Sequence, residues 1–185
     1  MVSIIIKKII YFIEVILLVN NVQIEQVKII DKHVDELSEL LIQVVEDDAS
    51  IGFLPPLQIS DANKYWLNVL NPGVLLYVAK INNQIVGSVQ LQLCTKPNGD
   101  HRAEIAKLMT HPNYRRNGIG RSLMNKAEER AKKEGRSLLV LDTREGDPSN
   151  LLYASIGFIQ AGKIPYYAKS ANGELHTTVL YYKSF

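Results

Sequence analysis

The stretch from residue 103 to residue 143 constrains the fold more than any other part of the chain. An apolar run with strand composition, 103–109, leads into a glycine-containing loop, 115–120, and a second apolar run, 137–143, has the pattern of a buried strand. Between the loop and the second run, apolar residues recur at helical spacing: Leu123, Met124, Ala127 and Ala131. A strand, a helix and a strand in this order predict a right-handed βαβ unit with a parallel strand pair.

The loop itself, Arg115-Arg116-Asn117-Gly118-Ile119-Gly120, lies where the predicted helix begins. The first-turn amides of a helix lack partners within the helix, and they coincide with the positive end of the helix dipole, so such a position binds anions. Glycines at 118 and 120 let the backbone approach an anion without an intervening Cβ atom. Arg115 and Arg116 add positive charge. The loop therefore predicts a phosphate-binding site.

The residues before this unit predict a strand and two helices. An alternating pattern at 22–30 suits a half-buried strand, and Asp31 is placed to cap the first helix. Ser60 is placed to cap the second helix, which carries Tyr65 and Trp66 on its inner face. The connection between the two helices contains Gly52, Pro55 and Pro56 and predicts a loop.

A hairpin is predicted at 74–93, with Asn82-Asn83 as its two-residue turn. In its second strand the apolar residues alternate with Ser88, Gln90 and Gln92, so one face of that strand is polar. Three further elements are expected after the βαβ unit: a short helix at 150–156 and strands at 158–168 and 175–183. The chain has no internal repeat or linker and predicts one domain at 21–185.

Composition excludes several classes of protein. The net charge is +2, with 21 basic residues against 19 acidic ones, which is too small an excess to indicate nucleic-acid or membrane-surface binding. Cys94 is the single cysteine, so an internal disulfide is excluded and a reducing, cytoplasmic location is expected. The four histidines lack the spacing of metal ligands, so no metal site is expected.

Residues 1–20 form an apolar extension with Lys7 and Lys8 near its start and Glu14 inside it. Its charge-free runs are shorter than the roughly 20 residues that span a bilayer, so no membrane span is expected. Three interpretations stay open: an additional packed strand or helix, a peripheral anchor, or sequence translated upstream of the true start.

Three kinds of phosphate loop compete for 115–120. A Walker loop needs Gly-Lys-Ser/Thr, but Gly120 is followed by Arg121 and Ser122, so that interpretation fails. A dinucleotide fingerprint needs a small residue where Leu123 stands, which weakens it, although Asp142 lies where a ribose-binding acid would be. A nucleotide-binding oxidoreductase domain therefore stays as a minor alternative.

The third kind fits without adjustment, because Arg115-x-x-Gly118-x-Gly120 resembles the pyrophosphate loop of the GNAT superfamily of N-acetyltransferases. A second signature of that family, a tyrosine four residues before Gly-Phe, is similar to Tyr153 to Phe158. The resemblance implies an α+β, three-layer α/β/α fold with a mixed, mostly antiparallel sheet of about seven strands. The central parallel βαβ unit of that sheet would carry the loop. Within the superfamily, 101–104, 141–144 and 162–167 look like the tabtoxin-resistance acetyltransferases.

The resemblance also implies acetyl-CoA as co-substrate. The backbone of Leu108, Met109 and Thr110 would pair with the pantetheine arm. The pyrophosphate would be held by the loop and the first helical turn, namely Arg115, Arg116, Asn117, Gly118, Ile119, Gly120, Arg121 and Ser122. Asn150 matches a CoA-binding asparagine only loosely, since many members carry that residue earlier, where this chain has Gly146.

Direct transfer to an amine, which the resemblance implies, requires that the amine lose a proton and the CoA thiolate gain one. Tyr153 matches the family tyrosine that serves as general acid. Glu104 matches a catalytic glutamate of several members, and strand alternation places it on one face with Ala106 and Leu108. Asp142 is the rival general base, unless it pairs with Arg144. Deprotonation through water, without a single base, is the third alternative.

The acetyl acceptor is expected to be the primary amine of a small molecule, such as an amino-acid-like compound, an antibiotic or a toxin. Its specificity would come from the loop 47–56, the helix with Tyr65 and Trp66, and the connection 166–173. A CoA-binding module without catalysis is the main alternative, and a homodimer is left open.

Overall fold

Seven strands form one sheet within residues 22–185, the part of the chain that the computed structural model describes. The strands are β1 (Gln23–Val27), β2 (Val74–Ile81), β3 (Gln84–Leu93), β4 (Arg102–Thr110), β5 (Leu138–Arg144), β6 (Ile159–Lys169) and β7 (Leu175–Ser184). Their order is β1-β2-β3-β4-β5-β7-β6, with β4 and β5 parallel and the other neighbours antiparallel. The predicted mixed sheet with its central βαβ unit is confirmed. The interpretations of residues 1–20 lie outside the described residues.

Helices cover both faces of the sheet, as the predicted three-layer fold requires. They are α1 (Val34–Glu46), α2 (Ile59–Leu67), α3 (Ile119–Lys133) and α4 (Pro148–Ser155). One apolar core lies between the sheet and α1 with α2, and the other lies between the sheet and α3 with α4. No helix of the described residues is long and apolar enough to cross a membrane.

The predicted helix caps are wrong at both positions. Asp31 precedes a tight turn in which the His33 amide donates to the Ile30 carbonyl at 2.8 Å, so α1 begins only at Val34. The second helix begins earlier than expected, because the Gln58 carbonyl already accepts from the amides of the first helical turn. Local backbone hydrogen bonds thus mark where each helix begins, and neither helix has a side-chain cap.

The hairpin turn is confirmed, with Asn82 and Asn83 at φ of 50° and 64°. Two consecutive left-handed residues are what a type I′ hairpin turn requires, and asparagine tolerates them well. The polar face of β3, however, is buried: Ser88 and Gln90 are less than 2% exposed. Helices α1 and α2 cover this face, and the Gln90 amide donates to the Tyr65 hydroxyl of α2 at 2.6 Å.

Strand β4 contains a bulge at Lys107, whose φ is +50°. Ile105 packs in the core on the α3 side, but after the bulge the alternation reverses, so that Leu108 lies on that side and Met109 on the α1–α2 side. The expectation that Glu104 and Leu108 share a face is therefore wrong. Glu104 keeps the α1–α2 face that strand alternation gives it before the bulge.

The parallel strands β4 and β5 stay together only at their beginnings. Their pairing covers 102–104 with 138–140, and no further pairs follow along these two strands. Beyond that point the strands separate, and the gap between them opens a cleft in the middle of the sheet.

Candidate active site

A cleft of about 1050 Å³ lies where β4 and β5 separate. Residues 104–110 of β4 and 142–144 of β5 form its two sides, and the end of α1, the loop before α3 and helix α4 complete it. This volume suits a ligand considerably larger than a metabolite of a few atoms. Most of the residues that the sequence singled out therefore line one cavity.

The loop before α3 presents unpaired backbone amides to this cleft. Within residues 22–185, no acceptor pairs with the amides of 116–121, whereas the Ser122 amide donates to the Gly118 carbonyl at 3.0 Å. Arg116 and Gly118 both have left-handed backbones, with φ of 66° and 75°. Successive amides in such a turn form a concave anion site, and the N-terminus of α3 adds its dipole.

The arginines of the loop are not equally available to an anion. Arg115 forms an ion pair with Asp47 at the end of α1, and the Arg121 guanidinium donates to the Ser155 hydroxyl at 2.8 Å. Arg116 is exposed and makes no side-chain hydrogen bond within the described residues. Of the two arginines expected to add free positive charge, only Arg116 does so.

Tyr153 is 5% exposed on α4 and lines the cleft from the α3–α4 side of the sheet. Its ring packs against Phe158 and Tyr181, each with a centroid distance of 5.9 Å. Burial, followed by the nearby charge of Asp142, raises the pKa of its hydroxyl. That hydroxyl has no hydrogen-bond partner among the described residues. Tyr153 therefore stays protonated at neutral pH and has a proton that it can donate into the cleft.

Glu104 lines the cleft at the last pair of the β4–β5 ladder, and its side chain is partly exposed to the open cleft. Desolvation by the surrounding protein raises the pKa of its carboxyl, and the charge of Asp142 raises it further, while Lys107 opposes both. A carboxylate with a raised pKa is a better proton acceptor than an ordinary glutamate.

Asp142 lines the same cleft, two positions beyond Val140, the partner of Glu104 on β5, and it accepts a hydrogen bond from the Thr178 hydroxyl of β7 at 3.0 Å. It does not pair with Arg144, so that part of the sequence interpretation is wrong. Arg144 shares the strand face of Asp142, but it is the last residue of β5, and its guanidinium contacts Asp48 and Asp147 in the adjoining loops instead. The Asp142 carboxylate is left facing the cleft.

Lys107 is a residue of the cleft that sequence reasoning missed. Its ammonium donates to the Ile51 carbonyl at 2.7 Å and lies 5.6 Å from the centre of the Phe53 ring. Burial lowers the pKa of this ammonium, against the charges of Asp142 and Glu104. The available signal was the adjacent apolar pair Leu108-Met109, which breaks strand alternation and indicates a bulge.

Three predicted ligands do not line the cleft: Asn117, Ser122 and Asn150. The Asn150 amide group donates to the carbonyls of Arg144 and Asp147, both at 2.9 Å, and accepts from the Tyr181 hydroxyl at 3.0 Å. These bonds connect the start of α4 to β5 and β7. The side chain of Asn150 is therefore engaged in holding the site together rather than directed into it.

The opposite end of the cleft is formed by the loop after α1 and by the β6–β7 hairpin. Residues 47–52 line it together with Tyr167, which is 57% exposed. Trp66 is fully buried, and Tyr65 is half-buried between Phe53 and Trp66, so the aromatics of α2 belong to the core. Among the described residues, no group of three or more potential ligands could hold a metal ion.

Comparison with known proteins identifies this arrangement. The sequence model of the acetyltransferase (GNAT) family matches residues 38–158, more than half of the chain. An uncharacterized N-acetyltransferase of Azospirillum brasilense, from the hisH-hisA intergenic region, is 32% identical over 129 residues. The match covers 66% of this chain and 74% of that relative.

Several solved structures are similar in fold. The ribosomal-protein-alanine N-acetyltransferase of Brucella melitensis has a TM-score of 0.74 at 19% identity, covering 88% of this chain and 99% of its own. An N-acetyltransferase of Staphylococcus aureus has a TM-score of 0.76 at 14% identity, covering 89% and 98%. An acetyltransferase of Salmonella typhimurium, solved with its cofactor acetyl-CoA, has a TM-score of 0.74 at 15% identity, covering 89% and 94%.

Proposed function

The chain belongs to the acetyltransferase (GNAT) family, and from that premise we propose that it transfers an acetyl group directly from acetyl-CoA to the primary amine of a small molecule. One observation carries the proposal: a loop of unpaired amides opens into the same cleft as Glu104, Asp142 and Tyr153. The amides suit the pyrophosphate of a CoA ester, and the three side chains suit the proton transfers of amine acylation.

The fit to acetyl-CoA rests on the backbone of α3. Gly120 faces Leu152 and Thr110 of the cleft, and a Cβ atom there would lie 3.3 Å from the Leu152 side chain. The space that this glycine leaves open adjoins the unpaired amides, so the loop and Arg116 would hold the pyrophosphate. The free edge of β4 at Leu108, Met109 and Thr110 would pair with the pantetheine arm as a further strand does.

Acetyl-CoA supplies an activated acyl group, and the protein supplies proton transfer on two sides of the sheet. Glu104 and Asp142 approach the cleft from the α1–α2 face, and Glu104 is the better proton acceptor for the incoming ammonium because its pKa is raised. Tyr153 approaches from the α3–α4 face and donates a proton to the departing sulfur. Two rival routes exist for deprotonation of the amine: Asp142 as the general base, or proton loss through water without a single base.

The acceptor is proposed to enter between the loop 47–52 and Tyr167. Two carboxylates in the cleft favour a cationic amine, which suits the small-molecule amine that we propose as acceptor. The resemblance to tabtoxin-resistance enzymes, a cytoplasmic location and a homodimer remain predictions.

The function is tested by measuring free thiol release from acetyl-CoA across a panel of amino-acid-like amines, with product masses checked for a gain of one acetyl group. We expect turnover with at least one primary amine and none with the matching N-methylated tertiary amine. Tight binding of coenzyme A without turnover would favour a non-catalytic binding module. Binding of NAD without coenzyme A would contradict the proposed family function and favour an oxidoreductase domain.

A further inference from the structure

Lys107 joins the centre of the sheet to the loop between α1 and α2. Its ammonium donates to the Ile51 carbonyl at 2.7 Å and lies over the face of Phe53. Gly52 lies between these two residues with φ of +87°, and a Cβ atom there would come within 3.2 Å of the Lys107 nitrogen. The loop therefore wraps closely around the tip of the lysine side chain.

The bulge in β4 is what directs Lys107 to this loop. Strand alternation before the bulge would turn residue 107 toward α3, but the left-handed backbone at Lys107 reverses the alternation. The Ser88 hydroxyl lies 3.5 Å from the Lys107 carbonyl, against the inner strand β3. A lysine in a left-handed conformation is sterically unfavourable, so its neighbours must hold it there.

We propose that Lys107 is a positioning residue that fixes the segment 51–53, whose first two residues form part of the acceptor-side wall of the cleft. This inference rests on the proposed function and specifies which group determines the shape of its acceptor pocket. Ile51 and Gly52 both line the cleft, so releasing the carbonyl of Ile51 moves the wall that an acceptor contacts.

The charge of Lys107 also affects the pKa of Glu104, the proposed proton acceptor. Glu104 and Asp142 are the carboxylates that face its ammonium from β4 and β5, and Lys107 lowers the pKa of Glu104 against the effect of burial. The acids of the α1–α2 loop are held by other cations, in two pairs: Asp47 with Arg115 and Asp48 with Arg144. Lys107 thus holds the pocket wall and, from the same cleft, partly offsets the rise in the pKa of Glu104 that burial and Asp142 cause.

The wall is tested without any acceptor by hydrogen exchange on the full-length protein. Lys107→Asn suits the test because asparagine tolerates a left-handed backbone and is too short to reach the loop. We expect the amides of Ala49 and Ile51 to exchange at least about tenfold faster in this variant, since a bond from a charged donor is lost. Lys107→Arg, which keeps a cationic donor, should restore most of the protection.

Lys80→Met is the matched control, because Lys80 is also a largely buried lysine but pairs with Glu25 near the β1 edge of the sheet, away from the cleft. It should leave exchange at 49–51 unchanged, and Lys107→Asn should leave the affinity for coenzyme A within about twofold of the wild-type value. Unchanged exchange in Lys107→Asn would overturn the proposal, whether or not any amine is acetylated.

The kinetic test uses the amine that gives turnover in the thiol-release panel. Lys107→Asn should raise the KM for that amine about tenfold and leave the KM for acetyl-CoA unchanged. The acidic limb of kcat/KM should move to higher pH, because loss of a nearby positive charge raises the pKa of Glu104. Lys107→Arg should return the limb toward its original position. If the limb of Lys107→Asn stays at the wild-type pH, the electrostatic part of the proposal is contradicted.

Discussion

Arg144 holds Asp48 through three contacts: Nη2 lies 2.8 Å from the Asp48 carbonyl oxygen and 3.0 Å from Oδ2, and Nη1 lies 3.3 Å from Oδ1. The same guanidinium contacts Asp147 before α4 and Ser170 in the β6–β7 hairpin. Three loops that are far apart in the chain therefore meet at one side chain. The sequence predicted two of these loops to form the acceptor end of the cleft, and Arg144 is the residue that connects them.

Replacing Arg144 should destabilise the protein more than removing an ordinary surface ion pair. Its side chain is only 12% exposed, so Arg144→Met leaves Asp147 and the Asp48 carbonyl without their partner. We expect a loss of about 2 kcal/mol in the free energy of unfolding by urea. Lys163→Met breaks a pair in which both side chains are 45% exposed and should lose less than about 1 kcal/mol. Equal losses in the two variants would show that Arg144 is not a structural connection.

Glu104 should make the protein less stable at neutral pH than a neutral residue would. Its pKa is raised in the folded state above the ordinary value of 4.5, so the folded protein binds more protons between those two values. The free energy of unfolding therefore falls as the pH rises through that window. Glu104→Gln removes this dependence, so its Tm should exceed the wild-type Tm at pH 7 and approach it near pH 4.

The control for this prediction is Glu39→Gln, which replaces an exposed acid on α1. Its Tm should follow the wild-type protein at both pH values. A Glu104→Gln variant that is less stable than wild type at pH 7 would contradict the prediction, because it would mean that the fold stabilises the ionised carboxylate rather than raising its pKa.

The same carboxyl should control the acidic limb of the pH–rate profile. As Glu104 becomes protonated it can no longer accept a proton from the amine, and its raised pKa places the limb above the range of an ordinary glutamate. Asp142→Asn should move the limb to lower pH, because the Asp142 charge contributes to the raised pKa. The measurement is kcat/KM against pH with one amine, so that the ionisation of the amine itself is common to both proteins.

If Asp142 is the base instead, Asp142→Asn should remove most of the activity rather than shift the limb. Glu104→Gln should then retain most of the wild-type activity. The two variants measured together distinguish the rival assignments.

Two glycines at opposite ends of α3 offer a matched pair of substitutions that test the anion site: Gly118 before its first turn and Gly135 after its last turn. Both have a left-handed backbone, with φ of 75° and 71°, and a Cβ atom at either would meet nothing within 4 Å. Alanine at each should therefore cost a similar amount of stability, about 1 kcal/mol. Only Gly118→Ala should weaken the binding of coenzyme A measured by calorimetry, because Gly135 lies at the far end of α3. A similar loss of affinity in both variants would contradict the pyrophosphate assignment.

The features that could be predicted from the sequence depend on local patterns. The Asn82-Asn83 turn, the glycine loop before α3 and the strand–helix–strand unit are each specified by residues next to one another in the chain. The loop could be interpreted as a phosphate site because its glycines and its position before a helix are both local properties.

The features that could not be predicted depend on contacts between distant residues. Arg144 and Asp48 are 96 positions apart in the chain. No local pattern around Asp142 therefore indicates that Arg144 pairs with Asp48 rather than with Asp142. Gln90 alternates like a solvent-exposed residue, but helix α2 covers it and supplies the Tyr65 hydroxyl. The role of Lys107 depends on a bulge in β4 and on the loop 51–53. The direction of the lysine side chain is clear only when both are in place.

Tyr153 should be required for turnover but not for folding or acetyl-CoA binding. Its hydroxyl makes no hydrogen bond within the described residues, so Tyr153→Phe should change the free energy of unfolding by less than about 1 kcal/mol. Removing a general acid should lower kcat about a hundredfold or more, while the dissociation constant for acetyl-CoA stays nearly constant. Tyr77→Phe is the control, because Tyr77 is 2% exposed in the same core but does not line the cleft. Turnover that is unchanged in Tyr153→Phe, or equally reduced in Tyr77→Phe, would contradict the role of Tyr153 as proton donor.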